Sequence, residues 1–207
     1  RPAVGMKYSK VIFVGDSRTV GMYATLNKQI GSSSSSGVSF VASAGQGLSW
    51  FQSEGYAKLL KEVEKAEGSL PVAVVFNLGV NDMANASNYV SYMTNIASTL
   101  KSKNCKLFYM SVNPLNSTMI TKAGKGSRTE AQVREFNSKI RSGLSANYKY
   151  IDTYSVLMKT GYGTNASYNG EDSVSDDGLH YTTKTFKRIY YYCVIYLNTG
   201  SIDSFYY

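Results

Sequence analysis

The chain has one histidine, His180, and it stands three residues after an aspartate in the run Asp176-Asp177-Gly178-Leu179-His180. An imidazole is the side chain best suited to take and return a proton near neutral pH. In a turn or a helix start, a carboxylate three residues upstream can reach back to the far ring nitrogen. A serine-based mechanism would therefore have His180 as its general base and Asp177 as the group that orients it. Taken alone, a single histidine more often caps or packs against the start of a helix, so other residues must shift the balance.

They lie at the ends of apolar runs. Val11-Ile12-Phe13-Val14 stops abruptly at Gly15-Asp16-Ser17. Such a run without polar alternation suits a strand covered on both faces, and it leaves Ser17 at the carboxyl end of that strand, where open α/β sheets bind ligands. The segment Phe76-Asn77-Leu78-Gly79-Val80-Asn81-Asp82 ends a second such run, and Ser43-Ala44-Gly45-Gln46-Gly47 follows another. At that edge a glycine lets backbone N–H groups approach a substrate, and an asparagine amide adds a donor, as a developing oxyanion requires. The plainer reading makes Gly45, Gly47 and Gly79 turn residues and Asn81-Asp82 a helix cap.

These residues need a frame to bring them together. Strands are expected at 11–14, 38–42, 72–78, 106–112 and 148–153, each short and rich in Val, Phe, Tyr or Ile. Between them apolar residues recur at helical spacing: Tyr56, Leu59, Leu60 and Val63; Val90, Met93, Ile96, Ala97 and Leu100; Val133, Phe136, Ile140 and Leu144. The last face, Phe186, Ile189, Tyr190, Cys193, Val194 and Leu197, is followed by Gly200 as a helix stop. Alternating strands and helices imply right-handed crossovers and a parallel sheet between helical layers, an α/β fold. The 207 residues suit one domain spanning 1–207. The Ser32–Ser36 run reads as a surface loop. Two longer segments, 113–127 and 158–176, follow strand ends and are expected to wall the edge that holds Ser17.

Composition narrows the partners. Apolar residues make up 43% and charged residues 17%, a globular balance, and no stretch approaches the ~18 apolar residues of a membrane span. The net charge is +8, from 22 basic and 14 acidic residues, but the basic residues are scattered and no nucleic-acid-binding signature appears, so a nucleic-acid partner is not expected. The 18 tyrosines, the serine run and the abundant asparagine resemble bacterial exported proteins that handle polysaccharides, which points to an extracellular or cell-surface location. The chain opens on Arg1-Pro2-Ala3 without an initiator methionine, compatible with removal of a leader or upstream segment. Cys105 and Cys193 have no metal-ligand spacing and read as small buried hydrophobes, with one bridge between them left open. Asp172, Asp176, Asp177 and His180 make a poor metal site, since a triad uses the same residues better; neither metal nor cofactor is expected.

In order and spacing, from Gly15-Asp16-Ser17 to Asp177-Gly178-Leu179-His180, these blocks resemble the SGNH, or GDSL-type, hydrolase superfamily of esterases over almost the whole chain. The resemblance implies a flavodoxin-like three-layer sandwich with sheet order 2-1-3-4-5. It implies Ser17 as nucleophile, His180 as base and Asp177 as its partner, with the family's three-residue spacing favouring Asp177 over Asp176. The oxyanion hole would comprise the N–H of Ser17, the N–H of Gly47, favoured over Gly45 by alignment of the later glycine, and the Asn81 side chain. The second block lacks the asparagine that often opens it in the family. The expected substrate is a short-chain ester, most simply acetyl, on a carbohydrate or cell-wall glycan. Arg18, Trp50, Asn113, Tyr162 and Tyr168 are candidate cleft residues, with Arg18, Trp50 and Asn113 as substrate contacts. Each is also explicable by packing, and Arg18 by pairing with a local carboxylate. The rival readings are an acyltransferase acting on a glycan and a catalytically silent glycan-binding module.

Overall fold

The strands fall where buried β-branched and aromatic runs demand them. In the computed structural model, which describes residues 7–30 and 37–202, β1 (Lys10–Gly15) and β3 (Val72–Asn77) are buried almost throughout. They occupy the middle of a five-stranded sheet, where side chains on both faces leave water. β2 (Val38–Ala42) and β5 (Lys149–Ile151) form its edges and β4 (Cys105–Met110) lies between β3 and β5. The order is β2-β1-β3-β4-β5 and every pairing is parallel. This is the expected α/β sandwich.

Alternation along the strands divides the core into two halves. Ile12, Val14, Val74, Phe76, Leu107 and Tyr109 face the layer of α3 (Tyr56–Glu64), α4 (Ala86–Ser102) and α6 (Glu130–Gly143). Val11, Phe13, Val75, Phe108, Met110 and Ile151 face α1 (Ser17–Ile30), α7 (Thr153–Thr160) and α8 (Thr183–Thr199). Each such Val, Leu, Ile or Phe contributes about 1.5–3 kcal/mol by leaving water. The register sets Gly15 level with Ala42 on one side and Asn77 on the other. Three chain segments thus leave the sheet together, and the residues expected to do chemistry follow within a few positions.

Local signals fix the helix ends. Thr129 and Gln132 form a reciprocal capping box at the start of α6, Thr182 caps α8, and Gly200 closes α8 in the left-handed conformation, as its position suggests. The expected strand at 148–153 is cut to three residues because Asp152 accepts from the Ser155 N–H and starts α7. The short α2 (Leu48–Trp50) and α5 (Ser117–Lys122) also lie in segments read as loops. In α4 the buried face runs through Tyr89 rather than Val90. Tyr89 donates its hydroxyl to Asp82 at 2.7 Å, and Val90, half-buried, packs where Gly143 of α6 leaves no room for a side chain. Cys105 and Cys193 are both buried free thiols. The Ser32–Ser36 run lies outside the described residues. Among them no helix is long and apolar enough to cross a membrane.

Candidate active site

Ser17 is the first residue of α1, two positions beyond the end of β1. The turn between them is tight: a side chain at Gly15 would collide with Thr19. Asp16 sits inside it, fully buried, accepting the Arg18 N–H on Oδ1 at 3.0 Å while its carbonyl takes the N–H groups of Thr19 and Val20. Burial pushes the Asp16 carboxyl up to about 6; the Asp82 charge adds to this, and the Arg18 N–H with the Arg18 and Arg128 charges oppose it. The Ser17 hydroxyl is thereby carried on a helix N-terminus whose first N–H groups lack intrahelical acceptors.

His180 arrives from the other end of the chain. It lies in the two-residue strand β7 (His180–Tyr181), paired antiparallel with β6 (Thr164–Asn165). Its Nε2 is 2.8 Å from Ser17 Oγ, and its Nδ1 is 2.6 Å from Asp177 Oδ2. Asp177 Oδ1 accepts the N–H groups of Leu179 and His180, each at 2.9 Å. Burial alone would raise the Asp177 carboxyl; the imidazole hydrogen bond and the two N–H groups outweigh it and hold Asp177 well below the usual carboxylate range. An ionised carboxylate only accepts, so Nδ1 carries the proton and Nε2 of the neutral ring is free to accept from Ser17. Ser17, Asp177 and His180 are no more than 5% exposed. The arrangement can move a proton from Oγ to Nε2 while the carboxylate stabilises the imidazolium.

The second and third blocks meet beside this relay, held by a residue read only as a possible cap. Asp82 accepts the Leu48 N–H on Oδ2 at 2.9 Å and the Tyr89 hydroxyl on Oδ1, and it makes no cap bond to its own helix. The carboxylate packs so closely on Gly47 that any side chain there would strike it. This is the reason for glycine at 47; Gly45 has open space around it. The Asn81 amide donates one N–H to the Gln46 carbonyl at 2.8 Å, which ties the two blocks together and leaves its second N–H to spare. Among the described residues the Gly47 N–H has no acceptor.

The two long loops do wall this edge, and they touch each other. Asn116 donates its N–H to the Gly178 carbonyl at 2.8 Å, and Gly178, at φ 69°, could carry no side chain against the Asn116 carbonyl. Asp176 accepts from Thr164 and from the Gly178 N–H, and Asp172 from Asn165 and Thr183, so both brace the loop while Asp177 alone faces the imidazole. Lys125, from the other loop, places Nζ 3.4 Å from Asp177 Oδ2.

The expected substrate contacts require correction. Arg18 turns inward: Nε donates to the Leu179 carbonyl at 2.8 Å, Nη1 to Asn113 at 2.7 Å and Nη2 to Pro114 at 2.9 Å, with the guanidinium over the Tyr181 ring. The guanidinium reaches neither the surface nor, among the described residues, a carboxylate. Trp50 is buried in the core beneath α2, where its indole packs as an apolar group. Asn113 is buried with Oδ1 accepting from Ser111 and Thr153. Hydrogen bonds to main-chain carbonyls and buried hydroxyls leave no sequence signature, so Arg18 and Asn113 read as cleft residues when they are braces, and Trp50 reads as one when it is core. Tyr162 likewise donates to the Leu115 carbonyl. Tyr168 is different: exposed, it lies stacked on the His180 ring with centroids 4.4 Å apart.

Residues 11–192 match the family model GDSL-like Lipase/Acylhydrolase. Among curated proteins no sequence is significantly similar to the chain. Solved structures share the fold at low identity. A candidate acylhydrolase from Bacteroides fragilis NCTC 9343 superposes with a TM-score of 0.62 at 17% identity, covering 93% of this chain and 88% of its own. An acetyl xylan esterase does so with a TM-score of 0.59 at 14% identity, covering 92% and 99%. The psychrotrophic esterase EstA from a Pseudoalteromonas species gives 0.54 at 15% identity, covering 92% and 100%. With the family model spanning all four blocks, the chain belongs to the GDSL-like lipase/acylhydrolase family, the SGNH hydrolases, and is a carboxylic ester hydrolase.

Proposed function

We propose that the protein is a serine esterase that removes a short acyl group, most simply acetyl, from a carbohydrate or cell-wall glycan through an acyl-serine intermediate. The observation that carries the catalytic part is the unbroken chain Ser17 Oγ, His180 Nε2, His180 Nδ1, Asp177 Oδ2, at 2.8 and 2.6 Å. Ser17 Oγ attacks the ester carbonyl carbon as its proton passes to Nε2. The oxyanion accepts the N–H groups of Ser17 and Gly47 and the second N–H of the Asn81 amide. Collapse of the tetrahedral intermediate breaks the bond to the alcohol, which takes the proton from Nε2. Water, deprotonated by the same nitrogen, then attacks the acyl-serine and releases the acid and the free Ser17.

The substrate part is supported by the groups that edge the relay. Tyr168 offers an exposed ring face on the imidazole and Lys125 an ammonium at Asp177, which suit a hydroxyl-rich alcohol better than a long alkyl chain. The fold shared with an acetyl xylan esterase is compatible with this substrate class.

The test is a screen of acetylated oligosaccharides against p-nitrophenyl esters of increasing chain length, alongside fluorophosphonate labelling. The expected result is a preference for acetyl esters, labelling of Ser17, and loss of both in Ser17→Ala. A preference for acyl chains beyond about eight carbons would overturn the substrate. Full activity in Ser17→Ala would overturn the catalytic assignment. Transfer of acetyl to an added glycan in place of hydrolysis would make the protein an acyltransferase.

A further inference from the structure

Tyr168 lies in the loop that follows β6, and its ring is stacked on the His180 imidazole with centroids 4.4 Å apart and planes 27° from parallel. The two residues differ in exposure: Tyr168 is 37% exposed and His180 only 3%. One face of the phenol ring thus covers the imidazole against water. The Tyr168 hydroxyl has no hydrogen-bond partner among the described residues, so the contact rests on the ring.

The loop holds the ring in that place. Asn165 is level with His180 across the β6–β7 pair, and its Oδ1 accepts the Ser167 N–H at 2.7 Å. On the other side of Tyr168, Asn169 Oδ1 accepts the Ser167 hydroxyl at 2.7 Å and the Glu171 N–H at 3.2 Å. Gly170 presses on the Ala24 carbonyl of α1 with no room for a side chain, and Glu171 pairs with Lys28 of the same helix at 2.8 Å. The loop is tied both to the strand of the imidazole and to the helix that starts at Ser17.

The imidazole has a use for this restraint. Its hydrogen bonds, Nδ1 to Asp177 and Nε2 to Ser17, fix the ring at its edges and leave its faces uncovered. Once Ser17 Oγ carries an acyl group it has no proton to donate, so Nε2 loses that partner just before it must deprotonate water. Of the contacts described, the Asp177 bond and the Tyr168 stack then remain. A phenol ring also turns its electron-rich face toward the positive charge that the imidazole gains with each proton it takes.

Resting on the reading of Ser17 and His180 as the hydrolytic centre, we propose that Tyr168 is a positioning residue that acts through His180. Its stacked ring keeps Nε2 directed at Oγ and then at the acyl-serine, shields the imidazole from solvent, and stabilises the imidazolium formed in both steps. No contact with the alcohol is needed for this.

The experiment reads turnover of p-nitrophenyl acetate, an ester without a sugar, and the NMR signal of the imidazole Nδ1–H, which is unique because the chain has one histidine. Tyr168→Ala should lower kcat by ~3–10-fold with KM little changed, the scale of one aromatic stack. Its Nδ1–H should exchange with water faster than in the wild type. Tyr168→Phe keeps the ring, and should keep most of kcat and the slow exchange. Should Tyr168→Ala fail to fold, Tyr168→Leu, which keeps bulk without a π face, must show the same two losses. A ring serving only as a sugar contact would raise KM on acetylated xylo-oligosaccharides and leave p-nitrophenyl acetate turnover intact, which would overturn the proposal. So would a loss in Tyr168→Phe as deep as in Tyr168→Ala, or an Nδ1–H exchange rate that Tyr168→Ala leaves unchanged. Ser17→Ala run in parallel keeps the two readings apart: its full activity would remove the hydrolytic centre, whereas the Nδ1–H exchange reads the stack whether or not Ser17 is the nucleophile.

Discussion

Arg18 donates through Nε to the carbonyl of Leu179, 161 residues further along the chain. One of these residues follows Ser17 and the other precedes His180. The helix that carries Ser17 and the strand that carries the imidazole are thus clamped one residue away from the Ser17–His180 contact on each side. The same guanidinium holds the carbonyls of Asn113 and Pro114, and Tyr181, beneath its plane, also donates to Pro114. A charge buried among neutral acceptors gives this junction direction: the planar fork fixes three carbonyls at once, where a lysine would fix one at a time.

Arg18→Ala should therefore destabilise the fold by about 3 kcal/mol or more, since three enclosed carbonyls lose their donors at about 1–3 kcal/mol each. Arg18→Lys should recover only part of that. Urea unfolding of the three proteins measures the difference. A change under about 0.5 kcal/mol in Arg18→Ala would show the clamp to be dispensable.

Asp177 and Asp16 shift in opposite directions, and stability should follow both. Asp177 is held below the usual range, so below about pH 4 the unfolded chain binds a proton that the folded one refuses. Its contribution is present above the ordinary carboxyl pKa and lost as pH falls. Asp177→Asn should thus be less stable than the wild type at neutral pH, with the gap narrowing on acidification. Its turnover should drop ~10³–10⁴-fold, because the amide no longer fixes the tautomer that lets Nε2 accept. Unfolding midpoints across acid pH and single-turnover rates test the two halves separately.

Asp16 is raised from 3.8 to about 6 by burial, so between those values the folded protein holds a proton that the unfolded chain has released. Stability on this account falls as pH rises through that window. Asp16→Asn keeps an acceptor for the Arg18 N–H without the charge, and should gain on the wild type from pH 4 to 6, by no more than about 3 kcal/mol. Parallel stability curves for the two proteins over that range would sink the assignment.

The parallel sheet and the order of the catalytic blocks could be read in the sequence because each rests on a local pattern: buried runs such as 11–14, helical spacing, and a lone histidine after Asp177; the strand order followed only from the family resemblance. What escaped is long-range hydrogen bonding. Arg18 looks like a surface cation until the carbonyls of residues 113, 114 and 179 converge on it, and nothing in those three residues' side chains announces that. Asp82 looks like a helix cap until Gly47 is seen pressed against it. Tyr168 reads from the sequence only as a cleft residue, and the folded chain alone shows it stacked on the imidazole.

The pairing of Asn81 with Asp82 gives the sharpest kinetic contrast. In the proposed mechanism Asn81→Ala removes a donor to the oxyanion, which forms only during the reaction, so kcat should drop by ~10²–10³-fold with KM little changed. Asp82 makes no contact with substrate in this scheme; it acts through Leu48 and Tyr89 to hold Gly47 in place. Asp82→Ala should therefore lower kcat and stability together, leaving a buried Tyr89 hydroxyl without its acceptor at a cost of about 1–3 kcal/mol. Asp82→Asn keeps the shape and an acceptor for the Leu48 N–H, and should restore most of kcat. If Asn81→Ala lowered stability as much as Asp82→Ala while leaving kcat intact, the asparagine would be the brace and the oxyanion hole would have to be sought elsewhere.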